Sequence, residues 1–316
     1  MNRISTILIS ALITLGVGLY SLEAMENGLH AKNFDWYRLM SVNLFTSCNY
    51  YFCDSVLIPF AANILNLNRS FAEFTSFNFI ISYCLIFATS FTALSYLGKL
   101  SGLVLMIYVL ISIHLNLFFS SPNFPDLSFI FLFLIGYLVI PKNKSLALIL
   151  FIASFTAHPT LAITVFLFVW LYILTIKDDD QSRELLMTIP KALIAGFVIC
   201  KFYLVMFQLE HNESRLSFLV DNFQKILNTS ALLTTPIYKT ISILGILYII
   251  VILTWQKSFQ LLAWLLVALC LGLLLQYISL DEIRIFRTFF TATSSVLLID
   301  ALYCKKELKL SQISFK

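Results

Sequence analysis

Three residues at the edges of apolar runs have side chains suited to acid–base chemistry. Asp126 ends the segment SPNFPD directly before an apolar run, and His158 lies between two apolar runs in the segment AHPT. Asp35 lies in the aromatic segment FDWYR, soon after the first apolar run. Carboxylate and imidazole groups accept or donate protons near neutral pH, so Asp35, Asp126 and His158 are the candidate catalytic residues.

Each of the three residues also has an ordinary structural explanation. Asp35 would favour the N terminus of a helix at the membrane surface, and Asp126 would cap the helix that follows it. His158 would bond to the carbonyl groups that Pro159 leaves without a donor. Taken alone, the position of Asp35 favours the structural role, whereas the sequence leaves both roles open for Asp126 and His158.

A second group of residues has the chemistry to bind phosphate. The segment DEIRIFR opens the last apolar run and contains Asp281, Arg284 and Arg287. Two arginines three residues apart share one face of a helix, and guanidinium groups bind phosphate oxygens in pairs. We predict that Arg284 and Arg287, with Asp281 and Arg38, bind substrate or phosphate. The alternative is an ion-pair cluster at the membrane surface, which would contribute little stability.

The composition places these residues in a membrane protein. Of 316 residues, 59% are hydrophobic and 12% are charged, and the mean hydropathy is +0.89. Apolar runs of about 16 to 22 residues cross a hydrocarbon core of roughly 30 Å as helices. We predict an all-α, polytopic transmembrane bundle that forms a single integral membrane domain over residues 1–316. The six cysteines form no CxxC pair, so no metal site or disulfide framework is predicted.

Ten apolar runs are predicted to be membrane spans. The first is interpreted as a retained helix rather than a cleaved signal peptide, because its apolar stretch is long and many spans follow. The two short runs around His158 are interpreted as separate spans, since Pro159 breaks the helix there. Lys201 lies inside the seventh span, where a charge should face the bundle or a wet cavity. The predicted spans are 4–21, 76–96, 101–119, 127–140, 145–157, 160–176, 187–207, 240–255, 260–277 and 286–303.

Charge predicts the sidedness of this bundle. With ten crossings both termini lie on one side, and every connection on that side carries Lys or Arg, which is typical of the cytoplasm. The candidate residues then all lie on the opposite, external face. Two long external segments, 22–75 and 208–239, contain amphipathic stretches at 33–52 and 215–227. These stretches predict helices that lie in the membrane interface.

The order of these features resembles the bacterial membrane glycosyltransferases of the GT-C class. Asp35 matches an acidic residue in a long first external loop with interfacial helices. The Pro-Asp pair at 125–126 and the segment AHP match a Pro-Asp opening of the fourth span, followed by a His after an apolar helix pair. Asp281 and Arg284 match an acidic, arginine-bearing start of the last span. The first loop differs from that of better-known members because it contains no DxD pair.

The resemblance implies transfer of a sugar from a polyprenyl-phosphate carrier to a glycan or lipid acceptor. Asp35 would deprotonate the acceptor hydroxyl, while Arg284 and Arg287 hold the lipid phosphate. Asp126 and His158 would orient the sugar or phosphate around a transition state with oxocarbenium character. The partners would be the lipid-linked donor, the acceptor and membrane lipids, with no nucleic acid. The expected location is the bacterial inner membrane with cytoplasmic termini, and a divalent cation stays open as a cofactor.

Two other functions fit parts of the same pattern. An O-antigen or exopolysaccharide polymerase shares the lipid-linked donor, but such enzymes depend on arginines in large external loops, and the 208–239 segment contains only Arg215. A transporter or lipid flippase commonly shows paired repeats with broken helices and polar residues at mid-membrane. We find no such repeat, and Lys201 is the charge that the sequence places at depth.

Overall fold

The computed structural model describes residues 3–30, 36–44, 55–113, 125–176, 180–207, 209, 258–279 and 282–314. Within these ranges every element of regular secondary structure is an α-helix, which confirms the predicted all-α class. The helices in chain order are α1 Arg3–Tyr20, α2 Leu22–His30, α3 Trp36–Val42, α4 Leu57–Ile64, α5 Phe71–Leu97, α6 Lys99–Ile113, α7 Asp126–Val139, α8 Lys144–Ala157, α9 Pro159–Ile176, α10 Asp180–Met206, α11 Ser258–Ser279 and α12 Glu282–Ser314.

The lengths and hydropathy of these helices are those of a membrane protein. Four of them, α1, α5, α10 and α12, contain segments long and apolar enough to cross a membrane. Five shorter apolar helices, α6 to α9 and α11, accompany them in the described part of the chain. These nine helices overlap nine of the predicted spans. The remaining predicted span, 240–255, lies outside the described residues, so the count of ten crossings is not confirmed.

Helices α5 and α6 form a tight hairpin. Helix α5 begins before the predicted boundary at 76 because Ser70 and Glu73 form a capping box, in which each side chain accepts the other residue's backbone N–H at 3.2 Å. Gly98 adopts a φ of 91° at the turn, where a side chain would be strained. A Cβ on Gly102 would lie 2.7 Å from the backbone of Leu94, so glycine permits the close approach of the two helices.

Helices α8, α9 and α10 cross the bundle in alternating directions. Lys144 at the start of α8 forms an ion pair with Glu184 near the start of α10. Further along, Phe155 of α8 packs on Gly196 of α10, so these two helices run parallel. Helix α9 connects the end of α8 to the start of α10 and therefore runs the opposite way. The predicted break at His158 is a reversal of the chain rather than a kink in one helix.

Three aromatic rings show the same reversal. The rings of Phe133, Phe151 and Phe166 have centroids 5.4 to 5.7 Å apart. Phe133 follows Asp126 by seven residues, Phe151 precedes His158 by seven and Phe166 follows it by eight. At 1.5 Å per residue all three rings lie about 10–12 Å below the level of Asp126 and His158. Both residues therefore lie at one end of the bundle, which we call the Asp126 end.

Helix α12 runs through the centre of the bundle. Residues 286–302 are all buried, and the helix packs on α5, α6, α7, α9 and α11. Its Thr288 contacts Asp126 at the start of α7, and its Asp300 contacts Tyr137 near the end of α7. The two helices therefore run parallel, with the second turn of α12 beside the first turn of α7 at the Asp126 end.

A second, smaller core covers the Asp126 end. Helix α10 continues past Gly196, and its Tyr203 lies about 10 Å further along the axis. There Tyr203 donates a hydrogen bond to the carbonyl of Leu44, just after α3. Ser41 of α3 in turn donates to the carbonyl of Pro59 in α4 at 2.7 Å. The buried residues of this layer are Tyr37, Met40, Leu44, Val56, Ile58, Ala62, Phe74, Phe77, Tyr203, Leu204 and Leu209.

This layer confirms part of the expectation for the first long segment. The stretch 33–52 was predicted to be helical, and α3 occupies 36–42 of it, whereas 31–35 and 45–54 lie outside the described residues. Helix α4 was not predicted. Its sequence LIPFAANI lacks charge, and its helix packs beside α3 instead of lying alone on a membrane surface.

Lys201 does not face the bundle, the first of the two surroundings predicted for it. Its side chain is exposed, and its Nζ atom lies 5.7 Å from the centroid of the Phe197 ring. Lys201 follows Gly196 by five residues and so lies near the Asp126 end of α10. A long side chain at this level can extend its ammonium group toward headgroups and water, so a charge there is tolerated without an internal cavity.

Candidate functional site

The first turn of α7 and the last turn of α8 are joined by a side-chain hydrogen bond. Ser154 of α8 donates from Oγ to the carbonyl of Phe129 in α7 at 3.1 Å. The Phe129 ring then packs edge-on against the His158 ring, with centroids 6.3 Å apart. Because Ser154 and His158 are one turn apart, this contact fixes where α8 ends relative to the start of α7.

His158 owes its position to the break between α8 and α9. Its backbone N–H donates to Ser154 at 3.2 Å, which closes α8, and its carbonyl accepts from Ala162 at 2.9 Å, which opens α9. Pro159 can stand at the first position of α9 because the N–H it lacks has no partner there. The imidazole is thus held at a reversal of the backbone and is 6% exposed.

Asp126 is the centre of the site. It is the first residue of α7 rather than its N-cap, since Pro125 occupies that position, so the predicted capping role is wrong. Its side chain is completely buried, and its Oδ1 atom lies 3.8 Å from Nε2 of His158. Thr288 of α12 donates to the same oxygen at 3.2 Å. Three helices that are distant in sequence therefore place their polar side chains around one carboxylate.

Arg287 brings a cation into the first turns of α12. It directly precedes Thr288 and is only 9% exposed. Insertion of an isolated charge at membrane depth costs several kcal/mol, roughly 2.5–3.5 kcal/mol on translocon scales, so buried arginines usually serve a function. The predicted grouping of Arg287 with Asp126 and His158 stays a prediction, since the contact to Asp126 from this part of α12 is made by the next residue, Thr288.

The remaining predicted site residues are not brought together by the described structure. Asp35 and Asp281 lie outside the described residues. Arg284 lies on α12, one turn before Thr288, but its side chain also lies outside what is described. Arg38 is partly buried on α3, in the layer that covers the Asp126 end rather than around the Asp126 carboxylate.

Sequence reasoning missed three polar residues of the bundle interior. Thr288 was not singled out, although it follows Arg287 directly. Asp300 was missed despite being an acidic residue inside the predicted span 286–303, a signal that the sequence does contain. Its partner Tyr137 could not have been identified, because 163 residues separate the two side chains.

The described residues contain no cluster of three or more His, Cys, Asp or Glu side chains that could hold a metal ion. Asp126 and His158 form a pair, and a pair alone leaves most of a coordination shell to water or substrate. The chemistry that the described contacts supply is therefore a buried carboxylate beside an imidazole and a hydroxyl donor.

Comparisons with known proteins add no family to these observations. No protein-family model, curated protein or solved structure matches the chain. Fold and site together define a polytopic helical membrane protein with a buried acid–histidine pair at one end of its bundle.

Proposed function

We propose that the chain is a membrane glycosyltransferase that moves a sugar from a polyprenyl-phosphate carrier to a glycan or lipid acceptor. The observation that carries the proposal is the buried contact between Asp126 and His158, with Thr288 on the same carboxylate oxygen. A carboxylate that holds an imidazole is a common means of activating a hydroxyl nucleophile. Arg287, which directly precedes Thr288 in α12, has the charge and fork geometry that suit a phosphate leaving group.

In the proposed reaction the acceptor hydroxyl gives its proton to the imidazole of His158. The acceptor oxygen forms a bond to the anomeric carbon while the bond from that carbon to the phosphate oxygen breaks. The electron pair of the broken bond leaves with the lipid phosphate, whose charge Arg287 balances. Asp126 orients His158 and stabilises the imidazolium that forms, as carboxylates do in other acid–base pairs.

The layer of α3 and α4 has a place in this scheme. It lies beyond the Asp126 end, where an acceptor and the head of a lipid-linked donor would approach from the membrane surface. Asp35, which directly precedes α3 in sequence, is the alternative base that the resemblance implies. If Asp35 is the base, Asp126 and His158 orient the donor instead, as first expected.

The decisive experiment compares a strain that lacks the gene with strains that express His158→Gln, Asp35→Asn or Arg284→Ala variants. Loss of one sugar from a cell-surface glycan, restored by the wild-type chain, supports the proposal. Accumulation of single repeat units on the lipid carrier would indicate a polymerase instead. An unchanged glycan, together with substrate uptake by the purified protein in sealed vesicles, would refute the proposal in favour of a transporter.

The same variants distinguish the two candidate bases. If His158→Gln abolishes sugar transfer and Asp35→Asn does not, His158 is the base. If Asp35→Asn abolishes transfer and His158→Gln does not, the base is Asp35. Wild-type activity in all three variants would refute the roles given to His158, Asp35 and Arg284. Membrane insertion is followed in parallel by the amount of folded protein extracted in mild detergent.

A further inference from the structure

Asp300 is a buried carboxyl group that the proposed transfer reaction does not use. It lies in the membrane-spanning segment of α12 and is 1% exposed. The hydroxyl of Tyr137 on α7 donates to both carboxyl oxygens, at 2.9 and 3.0 Å. Ionisable side chains inside a membrane span are rare, and in pumps and transporters they mark proton routes.

Asp300 and Asp126 lie at opposite ends of the contact between α7 and α12. Thr288 and Asp300 are twelve residues apart on α12, and Asp126 and Tyr137 are eleven apart on α7. The two side-chain contacts are thus about 18 Å apart along the helix axis. The interface between α7 and α12 therefore contains titratable groups at two levels. The Asp126–His158 pair lies at one end of this interface and Asp300 at the other.

Hydroxyl side chains occupy the interval between these groups. Thr288, Thr291 and Ser295 are three and four residues apart on α12, which puts them on one face over consecutive turns. All three are completely buried. Thr291 Oγ1 and Ser295 Oγ have no hydrogen-bond partner among the described residues. Buried hydroxyls in native proteins nearly always bond to protein or ordered water, so these two call for polar partners inside the bundle.

The neighbouring hydroxyls of α12 behave differently. Thr293 donates to the carbonyl of Phe289 at 2.9 Å, within its own helix. Ser294 accepts from the hydroxyl of Tyr108 on α6 at 2.7 Å. The two hydroxyls whose bonding is unexplained are therefore those in line with Thr288, and the pattern follows one face of the helix.

We propose that this face of α12 is a proton-transfer path that connects Asp300 with the Asp126–His158 pair. A proton that reaches the Asp300 carboxylate forms an O–H bond there. Water carries it over the five residues to Ser295, about 7.5 Å along the axis. Each hydroxyl of the row accepts one proton and passes its own proton onward. One proton enters at the Asp300 end and one leaves from His158 or Asp126, with no other change in bonding.

The surroundings of Asp300 provide an entrance for protons. At the same end of the described bundle lie Lys99 at the start of α6 and the ion pair of Lys144 with Glu184. Lys142 lies over the ring of Tyr96, with its Nζ atom 4.4 Å from the centroid. These side chains bring hydrated charge to the turns beside Tyr137, which is three residues before the turn at 140–143.

Proton flux in liposomes that contain the full-length protein and a trapped pH-sensitive dye tests the path. An inward pH gradient is imposed with potassium and valinomycin present to cancel membrane potential. We expect the wild-type protein to dissipate the gradient at least tenfold faster than protein-free liposomes. Asp300→Asn should return the rate to the protein-free level, and Thr291→Val or Ser295→Ala should lower it severalfold.

Thr293→Val is the matched control, since its hydroxyl bonds within its own helix and lies off the row. This variant should keep the wild-type rate. Wild-type flux equal to that of empty liposomes, or an Asp300→Asn variant as fast as wild type, would overturn the proposal. If Asp300→Asn fails to fold, the comparison of Ser295→Ala with Thr293→Val tests the path by itself. Equal rates of proton flux in these two variants would refute it. Glycan transfer is measured separately, so either proposal can fail without the other.

Discussion

Thr288 donates a hydrogen bond to Asp126 across 162 residues of sequence, with 3.2 Å between Oγ1 and Oδ1. This bond joins the second turn of α12 to the first turn of α7, and His158 approaches the same oxygen from the end of α8. One carboxylate oxygen therefore contacts side chains from two other helices. Changes to any of these side chains should affect activity more than stability, because their backbone positions are set by larger apolar contacts around them.

Asp126→Asn should lower the rate of sugar transfer by about 10²–10⁴, the range that acid–base groups contribute. The amide keeps the shape of the side chain but loses the charge that would stabilise an imidazolium. Thr288→Val should lower the rate by about tenfold or more, since a hydrogen bond to a charged group is removed. Transfer from a purified lipid-linked donor measures both rates.

The control for these variants is Thr293→Val, which removes a hydroxyl of the same helix that bonds only locally in the described structure. It should transfer sugar at the wild-type rate. A Thr293→Val variant as impaired as Thr288→Val would show that loss of any α12 hydroxyl disturbs the bundle, and the role given to Thr288 would be withdrawn.

Arg287→Lys should weaken binding of the donor rather than preserve it. Lysine keeps the positive charge but cannot present two parallel N–H groups to a phosphate. We expect KM for the lipid-linked donor to rise about tenfold or more, with a smaller change in kcat, since one bidentate charged contact is lost. Steady-state kinetics with donor and acceptor varied separately measure the difference. A change confined to the KM of the acceptor would assign Arg287 to the acceptor instead.

Gly102→Ala should destabilise the α5–α6 hairpin. Its Cβ would lie 2.7 Å from backbone atoms of Leu94, which cannot move independently, and overpacking of this kind costs about 1–3 kcal/mol. Gly16→Ala is the matched control, because nothing lies within 4 Å of its Cβ position, and it should be neutral or stabilising by about 0.5–1 kcal/mol. Thermal unfolding in detergent measures both variants, and equal midpoints would contradict the close packing of α5 and α6.

Cysteine labelling should place the two ends of the bundle on opposite sides of the membrane. In a chain whose native cysteines are replaced, a cysteine at Asn66 should react with an impermeant reagent from outside the cell. A cysteine at Asn143 should react only after the membrane is opened, because it lies in the turn beside Lys142 and Lys144 at the opposite end. The reverse pattern would invert the predicted sidedness while leaving the described helix packing intact.

Much of the helix architecture could be predicted from sequence because hydropathy acts locally. The break at His158 was correctly placed, since Pro159 cannot continue a helix and the apolar runs on either side are each long enough to pack alone. The start of α5 was placed too late, because its first turn contains the charged residue Glu73, which stabilises the helix start through the Ser70–Glu73 capping box. Lys201 does lie on a long apolar helix, but its exposure depends on which face of α10 packs on α8, and hydropathy does not predict that face.

The sequence by itself determined that this chain is a helical membrane protein and that Asp126 and His158 stand at helix ends, because chain-breaking and apolar residues act on their immediate neighbours. Only the tertiary structure decided that those ends meet, that Thr288 shares the Asp126 carboxylate and that Asp300 is buried against Tyr137. These contacts join residues between 32 and 163 positions apart. They depend on the direction and rotation of packed helices, which hydropathy along the chain does not encode.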